Sequence, residues 1–295
     1  MNTILIYTNA NYKPSINDLI TTVKILQKFD KEVFIHQSLM NDVIEQNDAK
    51  IKSDKLFSYL TLEDIKRPLN LMLALGGDGT FLEGVHFIQN KNIPILGINT
   101  GRLGFLANLN LNELENALEY IFRGKYCIDR RTMLKLEGEY HFDKFNFALN
   151  EFTIHKLDSS SMITIDLLIN GVHVNTYWAD GIIISTPTGS TAYSLSAGGP
   201  ILHPDSKSFV ITPIAVHNLN VRPLIVPDNS IISLKVSSRS ENCMISLDHK
   251  SIPAPTNSTF TISKAEIHAQ LLHCNAYNFF NTLKSKLMWG ADKRN

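Results

Sequence analysis

The sequence predicts a two-domain α+β protein: an N-terminal α/β domain on a parallel sheet, a C-terminal β-sandwich domain, and a C-terminal helix packing back on the first. Three observations predict it. Through about residue 128, short apolar runs alternate with segments of helical period, the pattern of strands and crossover helices in a sheet covered on both faces. From about Arg130, apolar residues alternate with others in short runs separated by turn residues, as in an antiparallel sandwich. Residues 275–289 return to a helical period. A chain of 295 residues is long enough for two domains. Their expected bounds are 1–128 and 129–273, with the helical tail at 274–295.

Residues 4–7 are a short buried strand. Ile16, Leu19, Ile20, Val23, Ile25 and Leu26 mark a helix, and residues 32–36 a second strand. Residues 38–68 are polar and show no clear period. An apolar run at 69–75 ends in Gly76-Gly77-Asp78-Gly79-Thr80, after which Phe81, Leu82, Val85 and Ile88 fall at helical spacing. Residues 93–98 form another strand, broken by Pro94. Leu111, Leu114, Leu118, Ile121 and Phe122 mark an amphipathic helix that stops near Gly124. In the second half, Ile163, Ile165, Leu167 and Ile169 alternate up to Asn170-Gly171, and Val172 and Val174 alternate after it, a strong hairpin signal. Residues 182–184 and 231–236 are further strands. In the tail, Phe279, Phe280, Leu283 and Leu287 share one side.

Composition excludes several classes. Lys+Arg and Asp+Glu balance at 28 each, which argues against a general nucleic-acid or membrane-surface binder. Cys127, Cys243 and Cys274 are far apart and form no CxxC pair, so neither a disulfide scaffold nor a zinc ribbon is expected. No apolar run reaches membrane-spanning length. The N-terminus reads as a first strand and not as a leader, so a cytoplasmic setting is expected. The Walker pattern is absent.

The glycine turn is the first candidate site. It lies between a strand and a helix, where glycines admit a bulky anion and the helix N-terminus favours negative charge. Asp78 puts a carboxylate in that turn, which suits a hydroxyl that must lose a proton, or a metal ion carried by a phosphate. A plain Asp-Gly turn is the bland reading. A dinucleotide fingerprint fails because Leu82 holds the third glycine position, which disfavours a dehydrogenase. Three polar features mark the second half. Asn150-Glu151 interrupts apolar runs, as a solvated face or as two groups reaching for sugar hydroxyls or a base edge. Asp180-Gly181 precedes a buried strand, where the carboxylate stabilises a turn or accepts from a ribose hydroxyl. Residues 185–200 are rich in hydroxyls and glycines and carry no charge, which suits a linker or, better, a loop holding a polar nucleotide.

In order, Gly76-Gly77-Asp78-Gly79-Thr80, Asn99-Thr100-Gly101-Arg102-Leu103-Gly104-Phe105-Leu106, Asn150-Glu151, Asp180-Gly181 and Thr186-Pro187-Thr188-Gly189-Ser190-Thr191-Ala192-Tyr193-Ser194 resemble the NAD kinase family. Pro213-Ile214-Ala215-Val216-His217 and Arg222-Pro223 add a further block. The resemblance implies a Rossmann-like parallel-sheet domain followed by a β-sandwich, with substrate between them and often shared across a subunit interface of a homo-oligomer. It implies transfer of the ATP γ-phosphoryl group to the 2′-hydroxyl of the adenosine ribose of NAD, with Mg²⁺ or another divalent cation arriving with ATP. By carry-over Asp78 is the proton acceptor and, with Gly79, touches the dinucleotide. Asn150, Glu151 and Asp180 also match NAD-binding positions. So do Thr191, Ala192, Tyr193, Ser194, Leu195 and Ser196 of the loop, and Ala215. Arg102 stands where the motif varies freely. Lys250 of Asp248-His249-Lys250 stands where many members have Gln. The glycine turn alone is shared with diacylglycerol and sphingosine kinases, so a lipid kinase is one alternative and a non-catalytic dinucleotide sensor another.

Overall fold

The computed structural model describes residues 1–9, 15–45, 51–101, 104–138, 140, 142, 145–157, 162–274 and 278–288. The chain forms two compact units, Met1–Arg130 with Gln270–Asn295, and Arg131–Ala269.

The first unit runs β1 (Thr3–Tyr7), α1 (Ile16–Lys28), β2 (Glu32–His36), α2 (Gln37–Glu45), β3 (Leu56–Tyr59), β4 (Leu71–Leu75), α3 (Asp78–Ile88), β5 (Ile95–Asn99), β6 (Leu109–Asn110) and α4 (Leu114–Phe122). Its strands are parallel in the order β3-β2-β1-β4-β5. β1, β2, β4 and β5 are apolar enough to be buried on both faces, as a parallel sheet requires, while the edge strand β3 leaves Ser58 exposed. Ser15 starts α1, its side chain accepting from the Asp18 amide at 3.1 Å. From α1, Leu19, Val23 and Leu26 pack with Ile4, Ile6, Val33, Leu71 and Leu73, and Leu114 and Leu118 of α4 join the same core. The polar stretch 38–68 holds two elements that its composition did not announce, α2 and β3. Residues 46–50, also in that stretch, lie outside the described residues.

The second unit continues with β7 (Cys127–Glu137), β8 (Phe147–Ala148), β9 (Glu151–Lys156), β10 (Ile163–Ile169), β11 (Val172–Ala179), β12 (Gly181–Ser185), α5 (Tyr193–Ser196), β13 (Ser208–Ile214), β14 (Leu224–Pro227), β15 (Ile232–Ser237), β16 (Asn242–Leu247), β17 (Lys250–Pro255) and β18 (Thr259–His273). The strands make two facing sheets. One runs β11-β10-β15-β18, with β7 and β8 beside β18, and the other runs β14-β13-β12-β9-β16-β17. Ile163, Ile165, Leu167 and Leu234 from one meet Phe152, Ile154, Ile182 and Ile245 from the other in one core, as a sandwich requires. The Asn170-Gly171 hairpin is present, both residues at positive φ (50° and 80°). The end of β18 returns to the first unit, where Leu271 pairs in parallel with Ile95. The final helix, α6 (Phe279–Leu287), buries Phe279 and Leu283. Residues 275–277 and Trp289, the ends of the expected tail helix, lie outside the described residues.

Candidate active site

In the first unit, the strand order reverses between β1 and β4. That is the switch point at which α/β sheets take ligands, outside the carboxyl ends of the strands. The glycine turn leaves β4 there, and Gly77 is the N-cap of α3, so Asp78 opens the helix. Gly76 is required by close approach, because a Cβ on it would lie 2.2 Å from Thr80 Oγ1. Gly77 and Gly79 differ: a Cβ on either would meet nothing within 4 Å, which leaves their faces open. Asp78 is held by a loop that its own motif did not reveal. Its Oδ1 accepts from the Leu106 and Ala107 amides at 2.9 Å each, and Oδ2 accepts from the Phe105 amide at 2.8 Å. Two carboxylate oxygens offer about four lone pairs, so Oδ2 keeps acceptor capacity beyond these bonds. The motif Asn-Thr-Gly-Arg-Leu-Gly-Phe-Leu thus ends in the cradle of Asp78; its Arg102 lies outside the described residues. At the end of β1, Tyr7 Oη donates to Glu83 of α3 at 3.4 Å, and Asn9 Nδ2 donates to the same carboxylate at 2.5 Å. Burial first, and the Glu83 charge second, push the Tyr7 hydroxyl well above its usual range.

The second unit gathers most of the other candidates around β9. Asn150 and Glu151 are both about 8% exposed, so neither is a solvated face. Their backbone is clamped by Asp248, in the turn from β16 to β17. Asp248 Oδ2 accepts from the Leu149 amide at 2.9 Å, and Oδ1 from the Asn150 and Glu151 amides at 2.8 and 3.1 Å. Burial, reinforced by the Asp248 charge and opposed by the Tyr193 amide, raises the Glu151 carboxyl to about 8. Glu151 Oε2 is buried without a hydrogen-bond partner among the described residues.

Asp180 pairs with Lys156 Nζ at 2.6 Å. His155 lies next on β9. Burial lowers its pKa and the Asp180 charge acts the other way. Its ring stacks on Tyr193, with centroids 5.6 Å apart and planes at 19°. Asp180, Lys156, His155, Tyr193, Glu151 and Asp248 therefore form one continuous constellation. The sequence singled out neither Lys156 nor His155, and named Asp248 only within the Asp248-His249-Lys250 turn, with no role. Their signal was faint: Asp248 sat in a short turn about a hundred residues from its partners.

The hydroxyl-rich segment is not an open loop throughout. It forms a 3-10 turn at Gly189–Thr191 and the short helix α5. Many of its hydroxyls are already engaged within the protein. Thr186 Oγ1 donates to the Leu149 carbonyl at 2.5 Å, Ser190 Oγ to the Pro187 carbonyl at 2.6 Å, and Ser194 Oγ shares a bond with Thr212 Oγ1 at 2.9 Å. Gly189 lets the segment lie on Asn150, since a Cβ there would fall 2.2 Å from the Asn150 carbonyl oxygen. Ser194 is fully buried, Thr191, Ala192 and Leu195 are half-buried, and Tyr193 and Ser196 are exposed. Ala215 is exposed and left-handed, at φ 45°, a conformation that a side chain adopts only under constraint.

Comparison with known proteins shows the family and the fold. Residues 6–126 match the model of the ATP-NAD kinase N-terminal domain and residues 149–274 that of the ATP-NAD kinase C-terminal domain. The chain is 46% identical over 272 residues to an NAD kinase of Cytophaga hutchinsonii, covering 92% of each chain. It is 42% identical to an NAD kinase of Bacteroides fragilis, covering 98% of each. A solved structure of yeast NADH kinase complexed with NADH superposes with a TM-score of 0.85 at 24% identity, covering 99% of this chain and 89% of that one. An NAD kinase from Archaeoglobus fulgidus in complex with ATP gives 0.72 at 23% identity, covering 98% and 99%. These last two share the fold. The class so defined is an ATP-dependent phosphotransferase with a parallel-sheet unit and a sandwich unit. Within that class the chain belongs to the NAD kinase family.

Proposed function

We propose that the phosphoryl transfer of this family runs here on Asp78, which takes the proton of the adenosine ribose 2′-hydroxyl of NAD as the γ-phosphoryl group of ATP arrives. The O2′–P bond forms, the bond from Pγ to the ADP oxygen breaks, ADP leaves, and the proton passes to the carboxylate. The observation that carries this is the fixed carboxylate. Three amides hold Asp78 at the switch point while Oδ2 keeps acceptor capacity. Phosphoryl transfer rests on positioning and charge neutralisation, and a positioned base contributes about two to four powers of ten. The open faces of Gly77 and Gly79 and the amides of the α3 N-terminus suit the phosphates. Among the described residues no cluster of three or more His, Cys, Asp or Glu side chains is placed to hold a metal ion. The divalent cation of this reading enters on the phosphates of ATP, as part of the substrate.

In the second unit, Asn150, Glu151 and Asp180 hold the dinucleotide, with Thr191, Ala192, Tyr193, Ser194, Leu195, Ser196 and Ala215 around it. Supporting this are the unpartnered Glu151 Oε2, the exposed Tyr193 ring and the Asp180 carboxylate. Ser194 acts here through its backbone, because its hydroxyl is engaged with Thr212. The solved relatives' complexes with NADH and with ATP support a fold that accepts both partners. The assembly of this reading is a homo-oligomer, in which a second copy would cover exposed apolar side chains such as Trp178 and Leu219 (60% and 86% exposed). The free thiols of Cys127, Cys243 and Cys274 suit the reducing cytoplasm. The test is NADP formation from NAD and ATP with Mg²⁺, with NADH as a second acceptor. No 2′-phosphorylated product from either would overturn the assignment.

A further inference from the structure

The Asn-Glu pair carries a chemical distinction that its sequence motif does not record. Glu151 is more than nine-tenths buried, and its Oε2 has no hydrogen-bond partner among the described residues. A buried polar atom left so is costly unless a ligand completes it. The groups around it do not favour a second negative charge. From the turn after β16, the Asp248 carboxylate sits beside Glu151 and is itself fixed by three backbone amides. His249 and Lys250 follow it in the turn. From α5, the Tyr193 amide acts on the Glu151 carboxyl. From β12, the cross-strand neighbour is Ser185, whose hydroxyl donates to the Thr186 carbonyl at 2.9 Å. Along β9, His155 is turned to Tyr193.

We propose that Glu151 meets the dinucleotide as a neutral carboxylic acid whose Oε2 hydroxyl donates to an acceptor atom of the ligand, burial being the main reason it stays neutral and the neighbouring Asp248 carboxylate a positioning residue that reinforces it. The inference rests on the placement of Glu151 in the dinucleotide pocket. It differs from the usual expectation for an acidic residue near ribose, that of an ionised acceptor of sugar hydroxyls. A neutral acid reads the opposite partner: a ring nitrogen, a carbonyl or a phosphate oxygen. Where one carboxylate is fixed in its ionised form by backbone amides, a second buried carboxyl nearby is favoured as the protonated acid. The upward displacement of Glu151 to about 8 puts its ionisation within reach of a binding experiment.

The experiment is calorimetric titration of the full chain with NAD from pH 6.5 to 9.5, for the wild type, Glu151→Gln, Glu151→Ala and Asp248→Asn. The wild type should lose affinity as pH rises, by about tenfold for each pH unit beyond the ionisation of Glu151. Glu151→Gln, always neutral and still a donor, should abolish the fall. Glu151→Ala should bind about tenfold more weakly at neutral pH, the worth of one hydrogen bond. Asp248→Asn should move the fall to lower pH, because Glu151 then ionises more easily. A wild-type affinity that is flat or rises with pH would overturn the inference, as would a fall that persists in Glu151→Gln. If Glu151→Ala binds NAD as tightly as wild type at neutral pH, Glu151 lies outside the pocket and the broader site assignment falls with it.

Discussion

Replacing Gly104 by alanine perturbs the Asp78 carboxylate without altering the carboxylate itself. An alanine Cβ at Gly104 would sit 1.9 Å from Asp78 Oδ1 and 2.6 Å from its Cγ. Carbon and oxygen normally approach to about 3.3 Å, so the carboxylate or the loop must retreat by more than about an ångström. The three amide bonds now span 2.8 to 2.9 Å, and none survives that retreat within hydrogen-bond range. Bonds to a charged acceptor are worth about 1.5–3 kcal/mol each. With water replacing part of them, a net local cost of about 2–4 kcal/mol follows. A reacting group displaced by about an ångström loses on the order of a hundredfold in rate. Steady-state NADP formation, followed with an NADP-specific dehydrogenase, should show kcat down by about that factor. A melting curve on the same preparation reports whether the unit stays folded. A folded Gly104→Ala enzyme with wild-type kcat would show that the cradle of Asp78 is not needed for transfer.

Three other outcomes follow from the same structure. Gly77→Ala should fold normally, since its Cβ meets nothing within 4 Å, yet raise KM for ATP severalfold by filling space meant for phosphate; an unchanged KM would place the phosphates elsewhere. Asp180→Ala should weaken NAD binding by about tenfold with little effect on kcat, and unchanged calorimetric affinity would remove Asp180 from the site. Glu151→Gln should alter stability with a definite sign. The folded carboxyl is raised from its ordinary 4.5 to about 8, so between those values the folded protein holds a proton that the unfolded chain has lost. Wild-type stability should therefore fall with rising pH through that window, by up to about 1.4 kcal/mol per pH unit, and the glutamine variant should lack this slope. Parallel denaturant midpoints for the two proteins at pH 5, 6.5 and 8 would contradict it.

The sequence made some elements plain and hid others for physical reasons. α1, α3 and α4 were readable because each carries an apolar stripe at helical period, and the β10–β11 hairpin because Asn-Gly suits its turn. By contrast, α2 buries only Leu39 and Val43, and β3 is four residues long with Leu56 and Tyr59 inward. Neither offers enough repeats for a period to emerge from a polar stretch. The glycine turn was legible because its chemistry is local. What holds Asp78 was not, since Phe105, Leu106 and Ala107 contribute backbone amides, and any residue but proline has one. The role of Asp248, though its turn was noted, was hidden for a related reason: it acts on backbone atoms about a hundred positions away. The loop's hydroxyls misled in a different way. Composition is the same whether a hydroxyl faces a ligand or its own chain, and Thr186, Ser190 and Ser194 turn inward.

The central claim is that the Asp78 carboxylate accepts the ribose proton. It is tested most directly by single-turnover formation of NADP from saturating NAD and MgATP by Asp78→Asn, alongside its NAD affinity. The account predicts near-normal affinity and a transfer rate lower by about two to four powers of ten. Transfer at the wild-type rate by that variant would contradict it.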